Sequence, residues 1–350
     1  MYNQTVNYMN NHKEYNKLRL RNELSLTHKN TDKPWLLETP KAVRDCAVFE
    51  ANKNIKTNFK KLKNKSINHF ELKFKKRQVN WTFDLPKSGI SCKNKQLEFY
   101  PRIFGKEHKT FKSYESIPTI NHDCKIQYDG INYFLLVPCD VENQDIIKNK
   151  SICSLDPGIR TFQTGYSPDG KWFKLGDGAS TRIFRLYIHL DNLISNLSQI
   201  HGRKRRNIKK RIIRLRIKIK NLINEMHHKI ALYLSSNFQC ILLPSFETSQ
   251  MSKRLNRRIR TKTVRKMIGL SFYKFSEILK YKCKLRGSMV LNVSESYTSK
   301  TCGNCGKLNE KLGGKKQFIC SGCDLKIDRD LNGARNILLR ALRDTSISLN

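Results

Sequence analysis

The chain has 350 residues, enough for two or three domains with buried cores, and it carries 68 Lys and Arg against 29 Asp and Glu, a formal net charge of +39. Such a charge is tolerated beside a polyanion, so nucleic acid is the expected partner and a membrane surface is the alternative. No apolar run reaches the roughly 20 residues of a spanning helix and no signal peptide is recognisable, so we expect neither a membrane-spanning nor a secreted protein.

Most of the cysteines show no pairing pattern. Those outside residues 297–326 are scattered along the chain: Cys46, Cys92, Cys124, Cys139, Cys153, Cys240 and Cys283. This scatter is typical of a reducing compartment. We therefore expect an intracellular protein, located in the nucleus if its source is eukaryotic or viral and in the cytoplasm or nucleoid otherwise.

The first 148 residues show two successive patterns. In residues 1–66 apolar residues recur at an approximate helical period with Lys and Arg between them, which predicts a helical segment. In residues 67–148 short apolar and aromatic stretches alternate with turns that contain Lys, Asn and Gly, and strands are predicted at 70–74, 79–83, 97–100, 125–128 and 133–137. This spacing predicts a small antiparallel sheet or barrel, whose aromatic side chains either fill its core or stack on RNA bases.

A different pattern begins at residue 149. Residues 152–156 predict a buried strand that ends in Asp156, and strands at 161–166 and 171–175 complete an antiparallel meander. A carboxylate at the end of a central strand is costly to bury unless a positive group neutralises it. A divalent metal ion would do so.

Two long amphipathic helices are predicted next, over 183–200 and 208–226, because apolar residues step by three and four along both. They form an antiparallel hairpin with a narrow apolar seam and a basic tip. The density of Lys and Arg from 203 to 220 favours phosphate contact over a merely solvated surface. The predicted nucleic-acid-binding residues are Arg203, Lys204, Arg205, Arg206, Lys209 and Lys210 on this hairpin, Arg257 and Arg258 in the basic loop 253–266, and Lys300.

The C-terminal part begins with a buried strand at 240–244, followed by the basic loop, a helix of about 20 residues and a last strand at 289–293. Two Cys-x-x-Cys pairs follow, Cys302/Cys305 and Cys320/Cys323, separated by 14 residues. This is the spacing of a closed, structural four-thiolate zinc site, and the other interpretation, four unpaired buried thiols, does not explain it. Asp330 precedes an apolar-periodic run, where an N-cap belongs.

The order of these elements predicts an RNase H-like fold, a mixed central sheet in which acidic residues gather where strand ends meet a final helix. Asp156, one glutamate and Asp330 would then hold two Mg²⁺ ions about 4 Å apart for in-line attack on a phosphodiester. Taken alone, an aspartate at position 330 is better explained as a helix cap. Its catalytic interpretation depends on the second acidic position far upstream, at Asp156.

Several segments resemble a known family. Residues 156–159 (Asp-Pro-Gly-Ile), 297–306 and 328–337 closely resemble the RuvC nuclease and zinc-finger segments of the TnpB/Fanzor family, transposon-encoded relatives of type V CRISPR nucleases. Residues 35–40 and the basic helix after them resemble the family's recognition helices. The resemblance implies an RNA-guided, Mg²⁺-dependent DNA endonuclease. Such a protein binds a transposon-derived guide RNA, reads a short target-adjacent motif in double-stranded DNA and cuts both strands at one RuvC site.

The predicted fold class is therefore α/β. An RNase H-like RuvC domain carries a helical hairpin and a zinc-ribbon insertion, and it is preceded by a helical recognition segment and a small β-barrel-like domain. The predicted divisions are a recognition segment at 1–66, a wedge-like β domain at 67–148, the first part of the nuclease at 149–296, a zinc finger at 297–326 and the end of the nuclease at 327–350.

The sequence departs from the commoner TnpB pattern at the catalytic glutamate. The strand that usually ends in this residue ends here in Pro244, and Glu247 lies three residues further on. Glu295 stands just before the segment that begins at residue 297, where Fanzors and some TnpB relatives carry a relocated glutamate. We therefore favour Glu295 with Asp156 and Asp330 as catalytic residues and Mg²⁺ ligands. Glu247 is the alternative to Glu295, and Asp328 is the alternative to Asp330.

The second departure is the start of the chain, which resembles the middle of the family's first helix, so the N-terminal nucleic-acid-binding domain is expected to be short. Two other functions stay open. One is a catalytically weak RNA-guided DNA-binding protein that regulates transposition, and the other is a RuvC-like nuclease that needs no guide. The sequence identifies no protein partner.

Overall fold

The computed structural model describes residues 1–25, 34–76, 78–93, 95–105, 110–113, 115–143, 151–246, 248, 260–310 and 316–344. The chain folds into two compact units, Met1–Asp140 and Val141–Asn350. In the part of the chain that the structure describes, no helix has the length and hydropathy needed to span a membrane.

The first unit begins with three helices, α1 (Tyr2–His12), α2 (Lys17–Ser25) and α3 (Lys41–Lys63). Their apolar stripes meet in one small core because apolar residues at three- and four-residue spacing share a helix face. The buried members of this core are Val6, Met9, Leu20, Val48, Ala51 and Ile55. The prediction of helical structure in this region is confirmed, and the described part of the segment forms three separate α-helices.

The rest of the first unit is antiparallel β-structure with one short helix. Its strands are β1 (Trp81–Leu85), β2 (Ile90–Lys93), β3 (Gln96–Phe99), β4 (Thr110–Lys112), β5 (Cys124–Tyr128) and β6 (Tyr133–Leu136), and α4 (Pro101–Phe104) lies between β3 and β4. One sheet has the order β1-β5-β6 and the other the order β2-β3-β4. The prediction of short antiparallel strands is confirmed, and β2 and β4 were not predicted.

The strand predicted at 70–74 is wrong. These residues belong to no strand, and the side chains of Phe70 and Leu72 pack against the three-helix core instead. Alternating apolar residues indicate one buried face, but they do not say whether that face lies on a sheet or on helices.

The second unit is built on a five-stranded mixed sheet. Its strands are β7 (Ile152–Pro157), β8 (Gln163–Tyr166), β9 (Trp172–Leu175), β10 (Cys240–Pro244) and β11 (Met289–Val293). The order across the sheet is β11-β10-β7-β8-β9. Strand β10 runs parallel to both β7 and β11, whereas β7, β8 and β9 form an antiparallel meander. All five strands lie where the sequence predicts strands.

Helices cover both faces of this sheet. The larger core lies between the sheet and four helices, α5 (Ala179–Asn196), α6 (Gly202–Asn237), α7 (Thr261–Gly269) and α8 (Phe272–Leu285). The other face packs against α9 (Arg329–Asp344) through Leu242, Leu338 and Ala341. Because side chains alternate along a strand, neighbouring residues of β7 and β10 belong to opposite faces.

The single helix of about 20 residues predicted before β11 is in fact two helices. The chain breaks between α7 and α8 at Ser271, whose φ is +52°, in the left-handed region. The carbonyl oxygen of Leu270 accepts a hydrogen bond from the buried Nε2 of His227 at 2.9 Å. This contact satisfies a carbonyl at the break, a feature that apolar periodicity does not reveal.

Candidate active site

Three acidic side chains from separate elements converge on the α9 side of the large sheet. Asp156 lies near the end of β7, Glu295 follows β11 by two residues, and Asp330 is the second residue of α9. The pKa of Asp156 is raised to about 8, chiefly by burial and also by the carboxylates of Asp330 and Glu295, whereas Arg329 opposes the shift. Asp156 is therefore close enough to Asp330 and to Glu295 to interact electrostatically with each of them.

The position of Asp156 depends on a close approach between β7 and α9. The two elements are joined by a hydrogen bond in which the Ser154 hydroxyl donates to the carbonyl oxygen of Ala334 at 2.7 Å. Next to it, a Cβ atom added to Gly333 would lie 2.6 Å from Oδ2 of Asp156. Position 333 thus has to lack a side chain for the carboxylate to stay where it is.

Glu295 is presented by a tight turn directly after β11. Its backbone carbonyl accepts two hydrogen bonds from Thr298, one from the backbone N–H at 3.2 Å and one from the hydroxyl at 2.8 Å. Burial raises the pKa of its carboxyl group. The turn holds Glu295 close enough to Asp156 for its carboxylate to raise the pKa of Asp156.

Asp330 lies among both signs of charge. Burial and the neighbouring carboxylate of Asp328 raise its pKa, and the cations Arg160, Arg329 and Lys174 act in the opposite direction. The net effect is a raised pKa of Asp330. Like its two partners, Asp330 is therefore more easily protonated than a solvated aspartate, and a bound cation would favour its charged form.

Asp328 has a structural role at the start of α9. Its Oδ1 accepts the backbone N–H of Asp330 at 2.9 Å, and its Oδ2 pairs with Nζ of Lys174 at 3.0 Å. Partial burial raises the pKa of Asp328, but these two contacts outweigh burial and hold the pKa below its usual value. The prediction that Asp330 is the N-cap is wrong: α9 begins at Arg329, so the residue before it supplies the cap.

Some residues predicted from the sequence fall in segments that are not described. Glu247, Arg257 and Arg258 lie outside the described residues. The choice between Glu295 and Glu247 thus stays a prediction, although Glu295 is the glutamate that acts on the pKa of Asp156.

The donor chemistry of the acidic group fits a hard divalent cation, because Mg²⁺ prefers carboxylate oxygens and the burial of several like charges calls for a positive partner. The three carboxylates are not tightly gathered. Among the described residues, only the four cysteines form a set of three or more His, Cys, Asp or Glu side chains whose ligating atoms all lie within 4.8 Å of one another.

The four cysteines form a compact cluster between β11 and α9. Sγ of Cys302 lies 3.6 Å from Sγ of Cys323, and Sγ of Cys305 lies 3.5 Å from Sγ of Cys320. These distances exclude disulfides and approach the ~3.8 Å between sulfurs that share a tetrahedral zinc ion at about 2.3 Å. The cluster is therefore compatible with a structural zinc site, as its spacing predicts.

Two short strands complete this ribbon, β12 (Gln317–Ile319) and β13 (Lys326–Asp328), which pair antiparallel. A hydrogen bond from the backbone N–H of Leu325 and one from the side chain of Asn304 lower the pKa of Cys323 to about 6. A thiol with this pKa is largely ionised at neutral pH, which is the form that binds zinc.

Sequence reasoning missed how the ribbon is joined to α9. Oδ1 of Asn332 accepts the backbone N–H of Gly303 at 2.9 Å, and its Nδ2 donates to the carbonyl of Thr301 at 2.7 Å. Nδ2 of Asn336 donates to the carbonyls of Thr298 and Thr301 at 2.8 and 2.7 Å. The available signal was the spacing of four between the two asparagines, which puts them on the same face of the helix.

The helical hairpin formed by α5 and α6 presents the predicted cations at its tip. Arg203, Lys204, Arg206, Lys209 and Lys210 lie at or near the surface there, as does Lys300 near the cysteine cluster. Arg205 differs from these residues, because its Nη1 donates to the carbonyls of Leu197 and Ile200 at 2.7 and 3.3 Å. It satisfies backbone carbonyls left at the end of the preceding helix.

Comparison with known proteins relates this arrangement to one family. A family model described as the Cas12f1-like TNB domain matches residues 272–337, which include α8, β11, the cysteine cluster and the start of α9. In the solved structure of a Cas12f1–sgRNA–target DNA complex, the protein is 15% identical, and the match has a TM-score of 0.55 and covers 96% of this chain and 79% of that chain. The mixed α/β fold is therefore Cas12-like.

Curated relatives extend over most of the chain. A TnpB-like protein of Acanthamoeba polyphaga mimivirus is 26% identical, covering 98% of this chain and 68% of that protein. A protein named InsQ and described as a candidate RNA-guided DNA endonuclease of Escherichia coli (strain K12) is 24% identical, with coverages of 88% and 76%. A candidate transposase of Paramecium bursaria Chlorella virus 1 is 34% identical over 318 residues, 88% of this chain and 71% of that protein. With this extent of identity, the chain belongs to the TnpB/Fanzor family of transposon-encoded proteins.

Proposed function

We propose that the chain is an RNA-guided DNA endonuclease that hydrolyses phosphodiester bonds in both strands of its target. The observation that carries this proposal is the convergence of Asp156, Glu295 and Asp330, from three separate elements, on one side of the sheet with upward-shifted pKa values. Neighbouring carboxylates with perturbed pKa values are typical of catalytic sites. The E. coli relative, described as an RNA-guided DNA endonuclease, supports the same reaction class.

The sheet topology supports an RNase H-like domain of the RuvC type. Three antiparallel strands are followed by β10 and β11, both parallel to β7. The carboxyl ends of parallel strands meet at one edge, which places Asp156 and the residues after β11 together. The cysteine cluster then represents a zinc ribbon inserted between β11 and α9.

Asp156, Glu295 and Asp330 would hold two Mg²⁺ ions, with Asp328 as the alternative to Asp330. When bound, these ions would activate water and stabilise charge on the leaving oxygen. The other residues position the ligands. Asp328 and Lys174 fix the first turn of α9, and position 333 leaves room for the Asp156 carboxylate.

A basic cavity beside Asp330 suits the phosphodiester backbone. It has a volume of about 460 Å³, and the residues that line it include Arg160, Lys266, Lys316, Arg329 and Asp330. Four cations next to one carboxylate would attract phosphates and hold the scissile bond near the acidic group.

The remaining basic surfaces would hold guide RNA and target DNA. The cations of the hairpin tip and Lys300 would contact phosphates, while sequence would be read by base pairing to the guide. With these partners the protein would act wherever the target DNA is, in the nucleus of a eukaryotic or virus-infected host cell or otherwise in the nucleoid.

The test is cleavage by the purified protein with its copurified RNA, Mg²⁺ and a library of double-stranded DNA with randomised flanks. We expect guide-matched cuts in both strands next to a short motif. Asp156→Asn and Asp330→Asn should reduce cleavage by roughly 100-fold or more while DNA binding persists, because the charged oxygens that would hold the cations are removed.

Asp169→Asn is the matched control. This aspartate lies in the turn between β8 and β9 and pairs with Lys171 at 2.7 Å, away from the acidic group. Wild-type cleavage is expected for this variant. Full cleavage by Asp156→Asn would refute the proposed site, and binding without cutting in the wild type would favour a guide-dependent binding protein.

The two candidate glutamates can be separated directly. Glu295→Gln should lose cleavage to the same extent as Asp156→Asn, since Glu295 contributes to the pKa of Asp156. Glu247→Gln should retain it. The reverse result would assign the catalytic role to Glu247.

A further inference from the structure

A second cavity lies on the opposite face of the same sheet. It has a volume of about 460 Å³ and opens between the strand ends and α8. The residues that line it include Pro157, Gln163, Leu243, Phe246, Phe272 and Asn292. Its size is within the range of roughly 300–1,000 Å³ that is typical of small-molecule sites. Neither the acidic group nor the cysteine cluster contributes to it.

The register of the strands explains how the cavity relates to the acidic group. Gln163 on β8 pairs with Pro157 on β7, and Asn292 on β11 pairs with Leu243 on β10. Paired residues share a face, so these four side chains point away from α9, to the side of the larger core. Pro157 directly follows Asp156 in the chain. The cavity and the acidic group therefore lie on opposite faces but at the same edge of the sheet.

Gln163 is the polar group that makes this cavity a candidate binding site. Its side chain is 0% exposed, and neither its Nε2 nor its Oε1 has a hydrogen-bond partner among the described residues. Buried amides are nearly always paired, because an unpaired buried donor or acceptor is costly. A ligand with a donor and an acceptor side by side would satisfy both atoms of Gln163.

The rest of the lining is suited to a flat ring attached to an anion. The rings of Phe246 and Phe272 lie 4.6 Å apart between centroids and form an aromatic wall. Tyr273 is 79% exposed, and so presents its ring at the mouth. Lys280 adds a cation, and Asn292 adds a second amide. An aromatic wall, a polar end and a nearby cation are the features that recognise an unpaired nucleotide.

We propose that this cavity takes one unpaired nucleobase of the DNA strand that passes the acidic group. The proposal rests on the proposed nuclease function for the identity of the polymer. The position at the carboxyl edge of the sheet favours DNA over guide RNA, because a strand crossing the acidic group would bring an adjacent nucleotide to the far side of this edge. The base would stack on the aromatic wall with its polar edge toward Gln163, whose buried amide would turn into the cavity to pair with it.

The test is a binding experiment that does not depend on cleavage. Full-length protein with its copurified RNA, and with Ca²⁺ in place of Mg²⁺, is titrated into short fluorescein-labelled single-stranded DNAs that carry an abasic site at successive positions. Fluorescence anisotropy gives the affinity for each. In the wild type we expect one position where removal of the base weakens binding by about 10-fold, the typical value of one stacked base.

Two variants and a matched control locate this effect. In Gln163→Leu and Tyr273→Ala the penalty at that position should disappear, so that intact and abasic strands bind equally. Tyr273→Ala keeps the test usable if the buried substitution impairs folding, since Tyr273 is exposed. Tyr281→Ala removes another exposed tyrosine from the same helix, outside the lining of the cavity, and should retain the penalty.

Three results would overturn the proposal. The first is a wild type in which no abasic position weakens binding, and the second is a penalty that persists in both cavity variants. The third is a penalty found with the corresponding RNA strands and not with DNA. None of these binding experiments measures cleavage. A failure to cleave DNA would therefore refute the proposed nuclease function, and the binding data would still show whether the cavity holds a base.

Discussion

His227 is a fully buried side chain of α6 that packs within the larger core and takes no part in the proposed chemistry. Its ring stacks on Phe162 with 5.2 Å between centroids, and its Nε2 donates to the carbonyl of Leu270. Burial lowers the pKa of His227 to about 4, although the hydrogen bond to Leu270 opposes this shift. The protein therefore holds this histidine neutral.

This histidine predicts how stability depends on pH. Because the pKa of His227 is about 4 in the folded state and about 6.5 in the unfolded chain, the unfolded state binds more protons between these values. Its contribution to stability is complete above about pH 6.5 and is lost as the pH falls toward 4. We expect a loss of about 2 kcal/mol by about pH 5, measured by urea unfolding at about pH 7 and about pH 5.

His227→Gln isolates this effect, since glutamine can donate to the same carbonyl but does not titrate. Its free energy of unfolding should change less between the two pH values than that of the wild type, by about the same 2 kcal/mol. His189→Gln, at an exposed position on α5, is the control and should behave like the wild type. An equal pH dependence in His227→Gln and wild type would contradict the assignment.

At the scale of elements, α9 joins the acidic group to the cysteine cluster. This helix supplies Gly333, which leaves space for Asp156, and Asn332 and Asn336, which bind the chain around the first cysteine pair. A substitution that disrupts the cysteine cluster is thus expected to destabilise α9, the helix that carries Asp330.

This connection predicts the effect of disrupting the cluster. Cys302→Ser or Cys320→Ser should reduce bound zinc from about one equivalent per chain to near zero, because the three remaining thiolates cannot complete a four-thiolate site. The midpoint of thermal unfolding should fall by roughly 5 °C or more, since zinc binding contributes folding free energy. Zinc is measured by elemental analysis and unfolding by calorimetry.

Cys92→Ser is the control for these variants, because Cys92 is an exposed free cysteine of the first unit. It should keep both the zinc content and the midpoint. Unchanged zinc in Cys302→Ser and Cys320→Ser would show that the four thiols do not form a metal site.

For the molecule as a whole, the net charge of +39 decides which partners it can hold. With 68 cationic side chains and 29 acidic ones, most cations have no carboxylate to pair with, and isolated surface pairs contribute little in any case. Release of counterions from a nucleic acid would then dominate affinity. The hairpin tip concentrates this charge on one end of α6.

The tip predicts a change in salt dependence. Replacing Arg203, Lys204 and Arg206 together by alanine should weaken nucleic-acid binding and make the plot of log affinity against log salt less steep, by about 0.7–0.9 for each phosphate that the variant no longer neutralises. Arg205 is left intact because it binds backbone carbonyls. The measurement is a salt titration of binding by fluorescence anisotropy.

A control with the same reduction of charge replaces Lys125, Lys171 and Lys229 by alanine. Each of these lysines already pairs with a carboxylate, at 3.0, 2.7 and 2.7 Å. It should change the slope less than the tip variant. Equal slopes for the tip variant and the wild type would mean that the tip is only a solvated surface.

Much of the second unit could be predicted from the sequence alone. Buried strands at the positions of β7, β10 and β11, the two helices of the hairpin and the paired cysteines all have local signals: apolar runs, a period of three to four and a fixed spacing. The first unit was harder to predict from the sequence. Its short strands have few residues over which a period can be recognised, and the apolar residues Phe70 and Leu72 proved to serve a helical core.

The sequence by itself determined the charge, the order of the elements, the cysteine ligands and the acids at the ends of elements, since each depends on residues close together in the chain. Only the tertiary structure decided which side chains share a face and a contact. It placed Glu295 and Asp330 beside Asp156, gave the cap of α9 to Asp328 and left Gln163 unpaired against a cavity. The physical reason is that strand register and the packing of α9 join residues far apart in the chain, such as Ser154 and Ala334, and no local pattern records such a contact.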